Sequence, residues 1–164
     1  MVLSDRIAIM RLGVLQQYGP PNVIYGDPAN IFVAGFIGSP QMNFVEGRLE
    51  RADGGATFAA ANSADVWKLP GVPAPAGATR VTLGVRPEHV TLRRSATDEP
   101  AAVISLVEPV GPTTFVDLDV GGVTFKASTD PEADFQAGEN VAVGINPRRT
   151  YFFDPETGNR LRLS

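Results

Sequence analysis

Apolar and polar residues alternate with a period of two again and again in the later part of this chain. Val81, Leu83 and Val85 alternate with Arg80, Thr82 and Gly84, and Val116, Leu118 and Val120 alternate with Asp117 and Asp119. After Gly121-Gly122, Val123, Phe125 and Ala127 alternate with Thr124, Lys126 and Ser128, and Val141, Val143 and Ile145 repeat the pattern. A period of two sends successive side chains to opposite faces, so each stretch predicts a strand with one buried face. Residues 45–51 and 56–61 flank Asp53-Gly54-Gly55, which is a hairpin signal. Many short strands separated by Gly, Pro and Asp predict a mostly β fold, a small barrel or sandwich.

The first 44 residues have a different rhythm. Residues 7–10 and 14–17 flank Arg11-Leu12-Gly13, a tight turn between two short strands. Leu12 is an awkward occupant there, because such turns need left-handed backbone. Pro20-Pro21 precedes Val23-Ile24-Tyr25, a single helical turn started by proline. In the stretch PANIFVAGFIGSPQMNF, Asp27 is the expected N-cap and Pro28 the expected first helical residue. Phe32 and Phe36, and likewise Val33 and Ile37, stack at helical spacing. Gly38 can end this helix and Pro40 prevents continuation. The expectation is a helix of roughly ten residues, about 15 Å long, apolar nearly all round and wedged between other elements. Residues 70–77, PGVPAPAG, read as a loop between two groups of strands, and DPETGNRLRL as a turn with a short last strand.

Composition narrows the chemistry. The 164 residues contain no cysteine and one histidine, with a net charge of −4. Disulfides, thiolate metal sites and thiol catalysis are thereby excluded. A chain that grips a phosphate backbone usually carries a basic excess, which this one lacks. The segment from Met1 to Arg6 has no basic region leading into a long apolar core, so no secretory signal is expected. No apolar run approaches the about 20 residues that a spanning helix needs, so direct membrane insertion is not expected.

No P-loop, Gly-x-Gly-x-x-Gly or Gly-x-Ser-x-Gly motif occurs. His89 has no second histidine or cysteine for a zinc set and sits in Arg86-Pro87-Glu88-His89, a polar corner between strands. Asp117 and Asp119 share one strand face and read as its wet side rather than a catalytic pair. Asp130, Glu132 and Asp134 form an acidic loop without calcium-loop spacing. Trp67 reads as core or rim packing, and Arg93-Arg94 and Arg148-Arg149 as surface doublets.

Four segments, LSDRIAIM, GVLQQYGPPNVIYGDPANIFVAGFIGSPQMNF, LGVRPEHV and YFFDPETGNRL, resemble in order and spacing the C-terminal part of the ATP-hydrolysing subunit of maltose-type ABC sugar importers. Two positions depart from that pattern: Pro20 stands where the family usually has a capping Thr, and Leu12 where it has Asp or Asn. The resemblance implies that residues 1–38 are the end of a nucleotide-binding domain, contributing a β-hairpin and two short helices. It implies that residues 39–164 are a regulatory OB-like (TOBE) β-barrel domain. It further implies a homodimer, contact with transmembrane permease subunits through the parent ATPase, a possible regulatory protein, and a cytoplasmic place on the inner face of the membrane.

The family's P-loop, signature motif, Walker B residues and switch histidine have no counterpart in this chain. No catalytic, cofactor or metal residue is therefore expected, and ATP and Mg²⁺ would belong to the complete parent subunit. The candidate partner or dimer contacts are Ser39, Pro40, Met42, Asn43, Phe44, Arg86, Glu88 and His89, although Met42 and Phe44 could equally close the bottom of the barrel. The alternative reading is a stand-alone OB-fold module for nucleic acid or a small anion; the acidic charge counts against nucleic acid.

Overall fold

The computed structural model describes residues 5–61, 66–74, 77–94, 101–120 and 122–163. It opens with a two-stranded hairpin, β1 (Ile7–Arg11) and β2 (Val14–Gly19). Leu12 and Gly13 both take positive φ in its turn, at 48° and 80°. The Leu12 side chain is 97% exposed, so the turn bears the local left-handed strain of a non-glycine residue without adding a packing conflict. Two six-residue helices follow, α1 (Pro21–Gly26) and α2 (Ile31–Phe36).

The second helix is shorter than its sequence suggests. Asn30, not Asp27, is the N-cap, and its side chain accepts from the Val33 N–H at 2.9 Å. Residues 28–30 are held outside the helix by the other end of the chain. Arg160 N–H donates to Ala29 O at 3.0 Å, Ile31 N–H donates to Gly158 O at 2.8 Å, and Asn30 bridges Asn159. These long-range bonds outcompete a helical start at Pro28.

The remaining strands form two open sheets. One contains β3 (Asn43–Ala52), β4 (Gly55–Ala60), β5 (Val66–Pro70) and β6 (Thr79–Val85). A 3₁₀ turn, Pro87–His89, leads into the second sheet: β7 (Val90–Arg93), β8 (Ala101–Val110), β9 (Thr113–Val120), β10 (Val123–Thr129) and β11 (Asn140–Ile145). The chain then returns to the first sheet as β12 (Thr150–Phe153) and β13 (Arg160–Leu161). The strand orders are β13-β12-β6-β3-β4-β5 and β10-β9-β8-β11-β7, with antiparallel neighbours throughout. β10 also contacts β7 at the opposite edge, so the five-stranded sheet curls toward closure. The 70–77 segment joins β5 to β6 within one sheet rather than linking two strand groups; residues 75 and 76 lie outside the described residues.

One apolar core lies between the sheets. Leu49, Phe58, Leu69, Leu83 and Val85 meet Ile104, Val116, Leu118, Phe125 and Val143 there. Trp67 fixes the fit: it stacks on Phe125 with centroids 6.0 Å apart and donates from Nε1 to Val143 O at 2.9 Å. An indole buried this way keeps its polar hydrogen satisfied. β6 departs from the one-sided expectation, because Thr82 and Gly84 are buried as well as Val81, Leu83 and Val85. Its second face lies under Met42, Phe44 and Phe153, and a Cβ on Gly84 would meet Met42 Sδ at 2.7 Å. Two smaller clusters complete the packing. Ile9, Ile24, Val33 and Ile37 form a core of the N-terminal segment, and Ala34, Met42, Tyr151 and Phe153 join that segment to the β sheets.

Candidate functional site

The most unusual chemistry of the fold lies where the N-terminal segment meets the β sheets. Arg86 follows β6, just before the 3₁₀ turn, and is 1% exposed, one of the largest fully buried side chains among the described residues. Nη1 donates to Ile37 O at 2.7 Å and Nη2 donates to Tyr25 O at 2.9 Å. Both acceptors lie at helix C-terminal ends, where carbonyls have no partner within their own helix. The guanidinium also lies over the Tyr25 ring, 3.6 Å from its centroid, a cation–π contact strengthened by desolvation. Burial holds the Arg86 pKa below its ordinary value, against the opposing pull of Tyr25 and Glu88.

Tyr25 is held from its other end too. Its hydroxyl donates to Glu88 Oε1. Burial first, and that hydrogen bond second, push the phenol pKa up to about 12. Arg86 and Glu88, two residues apart on the 3₁₀ corner, thus grip one tyrosine by its face and its tip. Gly38 makes the space. Its φ is +113°, and a Cβ there would sit 2.8 Å from Arg86 Nη1. The next peptide, Ser39-Pro40, is cis.

A second group of contacts flanks the arginine. Tyr151 OH donates to Gly26 O at 3.0 Å. Phe44 packs edge-on against Phe153 at 5.9 Å and lies against Gly35. The loop after β12 is built on Asp154, which accepts from Glu156 N–H at 3.0 Å and Thr157 N–H at 2.7 Å. Those bonds, led by the one from Thr157, hold the Asp154 carboxyl below its ordinary pKa. The loop presents Gly158 O to Ile31. At the surface, Arg162 pairs with Asp27 at 2.9 Å.

The eight residues singled out from sequence therefore fall into two sets. Met42, Asn43 and Arg86 are buried within the chain, and Phe44 is half-buried. Ser39 and Glu88 are exposed, while Pro40 and His89 are partly so. Asn43 bridges the sheets: Nδ2 donates to Lys126 O at 2.8 Å and Oδ1 accepts from Lys126 N–H at 2.7 Å. A side-chain amide here imitates a strand peptide and ties β3 to β10. Its sequence signal is a polar residue in phase with buried Val45 and Leu49. Tyr25 and Tyr151 were missed, because no local spacing links residue 25 to residue 86 or residue 151 to residue 26.

The other charged features are structural. Lys126 pairs with Asp117 and with Glu108 on the outer face of the five-stranded sheet. Arg94 pairs with Glu139 at 2.6 Å and donates to Ala133 O and Asp134 O, folding the acidic loop back. No helix among the described residues is long and apolar enough to cross a membrane.

Comparison with known proteins agrees with this architecture. Residues 38–90 match the MalK OB fold domain and residues 83–153 match the TOBE domain; the two intervals overlap across the corner that carries Arg86 and Glu88. The chain is 36% identical over 167 residues to the lactose transport ATP-binding protein LacK of Rhizobium radiobacter, covering 99% of this chain and 46% of LacK. It is 37% identical over 170 residues to the trehalose/maltose import ATP-binding protein MalK of Thermococcus litoralis, covering 98% of this chain and 45% of that protein. The chain thus spans less than half the length of these relatives. In three dimensions it is similar to the cytoplasmic molybdate-binding protein ModG, with a TM-score of 0.54 at 15% identity, over 69% of this chain and 96% of ModG. At that identity the likeness describes the fold alone. The chain belongs to the family of sugar ABC-transporter ATP-binding subunits and corresponds to their C-terminal part, which carries the MalK-type OB-fold and TOBE domains.

Proposed function

We propose that this chain is the regulatory and dimerisation portion of the ATP-binding subunit of a carbohydrate importer, and that it does not turn over ATP by itself. The observation that carries this reading is the unbroken run of OB-fold and TOBE matches over residues 38–153, in a chain without a phosphate-binding loop. Phosphoryl transfer depends on a phosphate cradle and Mg²⁺ ligands. In this reading they belong to the complete parent subunit. Residues 1–38 are the tail of its nucleotide-binding domain, and residues 39–164 are the regulatory domain.

The exposed apolar residues support that division. Met10, Leu15, Tyr18 and Phe36 all reach solvent on the N-terminal segment. Clustered apolar exposure marks a surface that another body covers. In the parent protein that body is the rest of the ATPase domain, which contacts the membrane permease subunits at the cytoplasmic face. The regulatory domain pairs with its twin and receives any regulatory protein. Ser39, Pro40, Glu88 and His89 are the candidates that reach solvent for such contacts, whereas Met42, Asn43, Phe44 and Arg86 act by shaping the junction.

The test is an assay of Mg²⁺-dependent ATP hydrolysis, with nucleotide binding followed by calorimetry, on the purified chain. The expected result is neither turnover nor binding above background. Mg²⁺-dependent turnover that copurifies with the chain would overturn the non-catalytic reading.

A further inference from the structure

Three features of the junction belong together. The N-terminal segment has its own small apolar cluster of Ile9, Ile24, Val33 and Ile37, separate from the core between the sheets. It is fastened to the sheets largely by polar bonds: Arg86 to Tyr25 O and Ile37 O, Tyr25 to Glu88, Tyr151 to Gly26 O, and the pair of bonds around Ala29 and Ile31. The central fastener is a buried guanidinium held by carbonyls and a ring, with no hydrogen-bond partner on Nε among the described residues. Removing such a charge from water is costly, and neutral carbonyls offset the cost only partly. Opening the junction returns Arg86 to water and exposes the small cluster of Ala34, Met42, Tyr151 and Phe153 with the Ile31 and Phe44 packed against it, while the larger core between the sheets stays covered.

We propose that this junction is a releasable joint: the N-terminal segment undocks from the β sheets as one piece, with its own cluster intact, while the core between the sheets stays folded. Arg86 and Glu88 are its latch, Tyr25 is the part they catch, and the loop built on Asp154 is its second fastening. Such an opening is a sub-global event, cheaper than global unfolding because the larger core is untouched. It lets a structural change in the segment that precedes residue 39 be either transmitted to the β sheets or uncoupled from them.

Two backbone bonds cross the joint and report on it, Ile31 N–H to Gly158 O and Arg160 N–H to Ala29 O. Native-state hydrogen exchange on the full chain would follow these amides beside those of Leu83 and Val143 in the main core. The Ile31 and Arg160 amides should share one opening free energy below that of the core amides. In Arg86→Met both should exchange roughly tenfold faster or more, with the core amides unchanged. Tyr25→Phe, which removes only the bond to Glu88, should accelerate the same two amides to a smaller degree. The proposal is overturned if these amides open only with the core, if neither variant changes them, or if either variant accelerates core and junction alike. An Arg86→Met chain that does not fold counts with the last result. This test does not involve ATP, so its outcome is separable from that of the non-catalytic reading.

Discussion

Gly38 and Arg86 depend on each other. With φ at +113° and Arg86 Nη1 2.8 Å from where a Cβ would stand, Gly38 cannot be enlarged without moving the guanidinium. Gly38→Ala is expected to destabilise the fold by about 1–3 kcal/mol, read as a lowered midpoint in urea unfolding. Tyr25 offers an independent probe. Its pKa is raised from 10.0 to about 12, so the neutral phenol is the form the fold favours. Its contribution is fully present below pH 10 and is lost as pH rises through about 12. Absorbance of tyrosinate against pH should show a late step near pH 12, and Tyr25→Phe should remove it. A glycine that can end a helix is legible in the sequence, and so is a polar corner at Arg86-Pro87-Glu88-His89. That Gly38 faces Arg86 is not legible, because it depends on how segments 48 residues apart are packed.

At the scale of elements, strand and turn placement follows local rules and was readable. The hairpin turn at Asp53-Gly54 and the alternations in β9 and β10 are set by side-chain period and turn chemistry. β11 departs from its alternation, since Ala142 and Gly144 are buried along with Val141 and Val143, and α2 and β6 depart from their local patterns because distant chain outcompetes them. The start of α2 moved to Asn30 when the C-terminal loop took residues 29 and 31, and β6 became buried on both faces under Met42, Phe44 and Phe153. The clip at Asn43 joins two elements 83 residues apart. Asn43→Ala leaves the Lys126 N–H and C=O without those partners and should cost roughly 2–3 kcal/mol, measurable by chemical denaturation with the unfolding slope unchanged. The loop after β12 responds to acid. Because backbone N–H groups depress the Asp154 pKa, its contribution is present above the ordinary value of 3.8 and is lost as pH falls further. Amide exchange at Ile31 should therefore quicken in Asp154→Ala at neutral pH, and a rate equal to that of the parent would show that the loop does not depend on this side chain.

For the whole molecule, the mostly β architecture and its family were carried by segments spread along the chain, from LSDRIAIM to YFFDPETGNRL. The way the pieces are joined was not, since a cation buried among carbonyls has no one-dimensional signature. The outer face of the hairpin makes a whole-molecule prediction. Met10, Leu15 and Tyr18 are exposed together, and sedimentation velocity should show association that increases with concentration. A Leu15→Lys variant should shift the chain toward monomer without lowering its stability. A parent chain that stays monomeric at high concentration would contradict the prediction.

If this chain is the regulatory portion of an importer ATPase subunit, it should be exchangeable for the same portion of a relative. The 167 aligned residues of LacK would be replaced by this chain, and the chimaera assayed in LacK's own transporter for assembly and transport-coupled ATP hydrolysis. The chimaera should assemble and hydrolyse ATP, whereas the isolated chain should do neither. A folded chimaera that fails to assemble, or an isolated chain that hydrolyses ATP, would contradict that reading.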